Sequence, residues 1–108
     1  MTESDLKELR FLRRERSDLR RRADKSAPEV KAQLDRLSEQ INQKILEIEE
    51  WIATIDDSYI RQIVRYKYID GISWSRLPRK MGLYGKGTTE QEAMNRYLTK
   101  HGNFGKKP

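Results

Sequence analysis

Between Val30 and Ile55 the apolar residues recur at steps of three and four: Val30, Leu34, Leu37, Ile41, Ile45, Ile48, then Trp51 or Ile52, and Ile55. Held for more than three heptads, with Lys44 as the one polar intruder, this is coiled-coil spacing on a single helix face. The start of that helix is signalled by Ser26-Ala27-Pro28-Glu29. Ser stands three residues before Glu, as in a capping box, and Pro falls in the first turn. At 1.5 Å per residue the segment makes a rod of roughly 40 Å. Its stripe must be covered, by the preceding helix folded back as a hairpin, by a second copy, or by both.

The preceding segment, Ser4 to Asp24, carries Leu6, Leu9, Phe11, Leu12, Leu19 and Ala23 mostly at helical spacing. Ser4 is the expected N-cap, with Asp5 and Glu8 in the first turn. Charges from Arg13 to Arg16 interrupt the stripe, and Arg20, Arg21 and Arg22 surround the helix as solvated groups. This helix reads as too weakly apolar to cover its neighbour alone. The expectation is therefore a homodimer formed through residues 1–56, with Val30, Leu34, Leu37, Ile41, Ile45, Ile48, Ile52 and Ile55 as its seam.

Composition narrows the class. Hydrophobic residues make up 35% and charged residues 37%, so any core is thin and helices are elongated. No run of 18 apolar residues is present, and the charged N-terminus does not read as a signal peptide, so neither a membrane partner nor secretion is expected. With no Cys and one His, no disulfide, thiolate metal site or His cluster is expected. An intracellular, cytoplasmic protein without a cofactor fits these features.

The net charge of +6 is unevenly spread. Residues 1–25 carry nine Lys/Arg against six Asp/Glu, residues 26–57 three against eight, and residues 58–108 eleven against three. The C-terminal half invites a polyanion and the middle repels one, which favours one region that assembles and one that binds nucleic acid.

That C-terminal half, 57–101, reads as three short helices. Asp56-Asp57-Ser58 offers caps, and Ile60, Ile63, Val64 and Tyr68 form a stripe ended by Asp70-Gly71. Ser73 is the expected cap of a second helix carrying Trp74, Leu77 and Met81, which Pro78 would shorten or bend. Thr88 or Thr89 is the expected cap of a third, whose Ala93, Met94, Tyr97 and Leu98 form its apolar side. The whole chain is thus expected to be all-α, a hairpin or coiled coil followed by a helix-turn-helix whose last helix enters the major groove.

The stretch Arg61–Met81 (RQIVRYKYIDGISWSRLPRKM) resembles the first two-thirds of a sigma-factor region 4 helix-turn-helix. Its Tyr66-Lys67-Tyr68-Ile69-Asp70-Gly71-Ile72-Ser73-Trp74 run matches the step between the first two helices. With an acidic helix directly upstream, the layout over residues 30–101 is similar to small phage late-transcription regulators of the RinA/ArpU type. The resemblance implies DNA binding and transcriptional control in a bacterial host, with contact to RNA polymerase.

On the last helix, Thr89, Gln91, Asn95 and Arg96 are the expected DNA-facing residues. Arg pairs with guanine, and Asn or Gln with adenine, through two hydrogen bonds, while Thr takes phosphate. Arg76, Arg79, Lys80, Lys86, Thr88 and Lys100 would flank them on the phosphates. The competing reading is an ordinary solvated face, which Glu90 and Glu92 favour. Tyr66, Tyr68, Trp74 and Tyr97 are expected to pack in the core in preference to stacking on bases.

Gly82-Leu83-Tyr84-Gly85-Lys86-Gly87-Thr88 lacks the P-loop spacing and a preceding strand, so nucleotide hydrolysis is rejected. His101 is expected at the last helix's end, with no orienting carboxylate or nucleophile beside it, and no catalytic constellation is apparent. The tail 102–108, with Lys106 and Lys107, is expected to be flexible. Two other functions fit the pattern: a small terminase-like packaging protein, and an interaction module that sequesters a host factor through the 30–55 stripe.

Overall fold

The computed structural model describes residues 1–101, so the tail expected at 102–108 lies outside the described residues. The described chain is all-helical: α1 (Glu3–Asp24), α2 (Pro28–Ala53), α3 (Ser58–Val64), α4 (Leu77–Lys80) and α5 (Thr88–His101). From Arg65 to Ile69 the end of α3 widens into a π-helical turn. No helix among the described residues is long and apolar enough to cross a membrane.

The caps differ from the sequence expectation in four places. One is Ser73, which lies before the turn that precedes α4, while Arg76 takes the cap position with no side-chain bond. Thr2, not Ser4, caps α1, and Asp5 returns a bond to the Thr2 backbone in a reciprocal box. Ser26 does not cap α2. Its hydroxyl donates to the Arg22 carbonyl at 2.6 Å, closing α1, and α2 starts from Ala27 with Pro28 in its first turn. The linker is short enough that one serine can serve only one of the two helices. Neither Thr88 nor Thr89 caps α5, because the Gly87 carbonyl takes the first helical bond, from the Gln91 amide at 2.9 Å. Gly87 has φ +92°, and a Cβ there would sit 2.0 Å from the Trp74 carbonyl oxygen. Backbone approach this close excludes every residue but glycine.

The second expected helix is also shorter than its pattern. Trp74 lies in a turn whose Ser73 carbonyl accepts from Arg76 and Leu77, and only Leu77–Lys80 is helical. Pro78 thereby falls in the first turn, where its missing N–H costs nothing. Gly71, at φ +72°, closes the preceding helix. Asp57 caps α3 through the Ile60 amide at 3.2 Å.

Core packing runs through the whole chain without a break at 56. Leu6, Leu9, Leu12 and Leu19 of α1 join Ile41, Ile45, Ile48 and Ile52 of α2 and Ile60, Ile63, Leu77, Met94 and Leu98 further on. α1 lies along α2, held at its rim by Lys44 to Glu8 at 3.2 Å and Arg16 to Asn42 at 2.6 Å. Its N-terminal half also crosses the π-helical turn, where Arg13 donates to the Ile69 carbonyl at 3.2 Å. At about 1.5 to 3 kcal/mol per buried large side chain, this shared core outweighs any polar contact in the molecule.

The α2 stripe divides accordingly. Ile41, Ile45, Ile48, Ile52 and Ile55 are buried within the single chain, Leu34 is half-buried, and Val30 and Leu37 are exposed. Phe11, counted in the α1 stripe from sequence, is 71% exposed. It sits between Leu9 and Leu12, which already occupy the core face, and two residues after the one and one before the other leaves it pointing outward.

Candidate nucleic-acid interface

The last helix is anchored by Met94 and Leu98, both buried, with Ala93 and Tyr97 half-buried beside them. At 100° per residue this leaves Thr89, Glu92, Arg96, Thr99 and Lys100 on the outward face, all exposed. Asn95, Arg96, Thr99 and Lys100 line one shallow depression there.

Glu90 does not belong to that face, contrary to the sequence expectation. It is 4% exposed and accepts a hydrogen bond from the Tyr59 hydroxyl at 3.0 Å. Its position in the first turn of α5 also suits a carboxylate, because the helix N-terminus is the positive end of the dipole. Burial, and then the Glu90 bond, raise the Tyr59 hydroxyl above its ordinary pKa. On the other flank the Tyr97 hydroxyl donates to Asp56 at 3.3 Å and its ring lies 4.6 Å from that of His101. Burial and the Asp56 charge raise Tyr97 as well. Every polar bond of the α5 side chains is thus made to α3, to Asp56 just before it, or to the helix's own backbone. Gln91, Asn95, Arg96 and Lys100 make no side-chain hydrogen bond or ion pair among the described residues.

Gln91 and Asn95 occupy the flank that faces α1. There they line a cleft of about 590 Å³ together with Lys7, Arg10, Phe11 and Arg14 of α1, and Lys67, Tyr68 and Trp74. The Lys67 ammonium lies 5.2 Å above the Trp74 ring, a cation–π contact between two half-buried side chains worth about 1 kcal/mol. Tyr68 is 5% exposed, and burial pushes its hydroxyl up to about 12. The four expected aromatics therefore pack on or into the core, as their helical spacing requires.

Of the other sequence candidates, Arg76, Arg79, Lys80, Lys86 and Thr88 are exposed and line neither the cleft nor the depression. The α1 cations that line the cleft were not among the sequence candidates. The available signal was Phe11, an aromatic between Arg10 and Arg13 that is out of phase with the leucine stripe. Gly82 to Gly87 holds no helix start until Thr88, and three of its glycines have positive φ.

No protein-family model, curated protein or solved structure matches the chain.

Proposed function

We propose that the protein is a sequence-specific duplex-DNA-binding regulator of transcription, acting in the bacterial cytoplasm by binding and not by catalysis. In this reading α3, α4 and α5 form the helix-turn-helix, and α5 lies in the major groove. The observation that carries it is the division of α5. Its core side satisfies Glu90 and Tyr97 internally, while Gln91, Asn95, Arg96 and Lys100 are presented without a partner. With Glu90 turned inward, Glu92 is the one carboxylate of α5 left facing outward.

The groups fit the task. Arg96 can give two bonds to guanine, Asn95 and Gln91 can each read adenine, and Thr89 and Lys100 reach phosphates. Arg76, Arg79, Lys80, Lys86 and Thr88 add flanking phosphate contacts. The sigma region 4-like run Tyr66–Trp74 supports a role in transcription, of the phage late-regulator kind, with RNA polymerase as a second partner. Self-association falls to Val30 and Leu37, the exposed members of the α2 stripe, with half-buried Leu34 between them. A dimer built on them would read paired half-sites.

The test is duplex binding by the full chain across a salt series, with Arg96→Ala alongside. Micromolar binding to random duplex that weakens steeply with salt, and a selected site on which Arg96→Ala loses its advantage, are the expected results. Absence of binding at low salt overturns the reading.

A further inference from the structure

The cleft between α1 and α5 has a chemistry that the α5 face alone does not account for. Its α1 wall carries Lys7, Arg10 and Arg14, and Lys67 adds a fourth cation. The one carboxylate at the site, Glu3, is held by Lys7 at 2.6 Å. Among the described residues no carboxylate lies within ion-pair distance of Arg10, Arg14 or Lys67. Further along α1, Arg21 and Arg22 pair with Asp18 and Arg16 bonds to Asn42, while Arg20 stands without an ion pair as Arg10 and Arg14 do. What sets the cleft apart is that Arg10, Arg14 and Lys67, from two elements, are gathered on it without a carboxylate partner. Unpaired guanidinium groups gathered opposite amide side chains match a phosphodiester, whose oxygens accept the paired N–H donors of arginine.

Asn95 links this cleft to the outward face of α5, since it lines both the cleft and the depression with Arg96 and Lys100. A strand whose bases are read by α5 therefore has its backbone directed along the α1 wall.

We propose that α1 is the second wall of the DNA interface, and that Arg10, Arg14 and Lys67 clamp the phosphodiester backbone of the duplex bound by α5. Phe11, 71% exposed on the same wall, covers the adjoining sugar with its ring. The inference rests on the DNA-binding reading above and gives the N-terminal helix a contact role in addition to its packing role.

The experiment measures duplex affinity against salt for the full chain, Arg10→Ala/Arg14→Ala, Arg14→Glu, and the control Arg20→Ala/Arg21→Ala, which removes the same charge away from the cleft. Each lost phosphate contact lowers the log–log salt slope by about 0.9. The cleft double variant is expected to lower it by about 2, weakening all sequences alike and preserving the preference for the selected site, while the control keeps the wild-type slope. Arg10 packs over Gly71, where a Cβ would meet its guanidinium at 3.0 Å. Arg14→Glu, at an exposed position, is therefore the variant that reports on the clamp if the double variant unfolds, and a slope reduced by about 1 is expected of it. A wild type that binds through Arg96, with the cleft variants keeping its slope, overturns the clamp and leaves the α5 reading standing. A wild type that binds no duplex at low salt overturns both.

Discussion

Helices α2 and α5 are both amphipathic, yet the polar groups they leave outward differ in charge and chemistry. On α2, Lys31 pairs with Asp35, Gln43 bonds to Glu39 and Lys44 reaches Glu8 on α1. Its apolar side from Ile41 onward is closed by the rest of the chain. On α5 the inward groups are satisfied, and the outward ones, Gln91, Arg96 and Lys100, bond to nothing in the described chain. What α2 leaves exposed without a partner is mostly acidic, Glu29, Glu47 and Glu50 against Arg36, whereas α5 leaves an amide and two cations, Gln91, Arg96 and Lys100, against Glu92. The second set suits an anionic partner and the first repels one.

The largest effect is expected at the turn that delivers α5. Gly87→Ala forces a Cβ into the Trp74 carbonyl at a backbone conformation that L side chains rarely adopt. A loss on the order of 4 kcal/mol is expected, read as the urea midpoint, and DNA binding should fall with it. Ile45→Ala empties a fully buried site on α2. It should cost about 3 kcal/mol, without changing the salt slope of binding by the molecules that remain folded. A changed slope would mean that α2 shares in the interface.

Alkaline pH probes the π-helical turn between the two helices. Tyr68 has an ordinary pKa of 10.0 and is pushed up to about 12 in the folded chain. The folded state therefore gains stability that is fully present below pH 10 and is lost as pH rises through the folded value. About 2 kcal/mol should disappear across that window, and Tyr68→Phe, which breaks no hydrogen bond, should flatten the dependence. Urea midpoints collected from pH 8 upward, with tyrosinate absorbance followed in parallel, check this.

Smaller effects sharpen the contrast. Arg96→Ala should leave the unfolding midpoint unchanged within about 0.5 kcal/mol while lowering affinity for the selected site about tenfold or more. Equal loss on random and selected duplex would make Arg96 a phosphate contact and move base reading to Gln91 and Asn95. Least disruptive of all, Val30→Gln/Leu37→Gln should change the stability of a single chain by no more than about 0.5 kcal/mol, because both side chains are already exposed. Sedimentation of wild type and variant tells whether these residues join two copies. A dimer that survives the double substitution would locate self-association elsewhere.

Much of the helical plan was legible in the sequence, because helix formation is local. The stripe from Val30 to Ile55 identifies the core face of α2, and Asp70-Gly71 marks where the α3 segment must stop. The inward side of α5 follows from Met94 and Leu98. Local rules failed where one residue had two possible duties. Ser26 could close α1 or open α2, and the geometry of a three-residue linker chose the former. Thr88 and Thr89 carried the expected capping chemistry, but the backbone of Trp74 demanded glycine one residue earlier.

The residues alone fix the order of the helices, most of the side chains they bury and the concentration of positive charge toward the C-terminal half. Only the tertiary structure decided what covers each face. It buried four isoleucines of α2, and Ile55 just beyond it, inside one chain, turned Glu90 away from the surface it was expected to spoil, and brought Arg10 and Arg14 opposite Gln91 and Asn95. The physical reason is range. Periodicity and capping act within a turn or two of helix, whereas the neighbour of a side chain some eighty residues away is set by how the shared core closes.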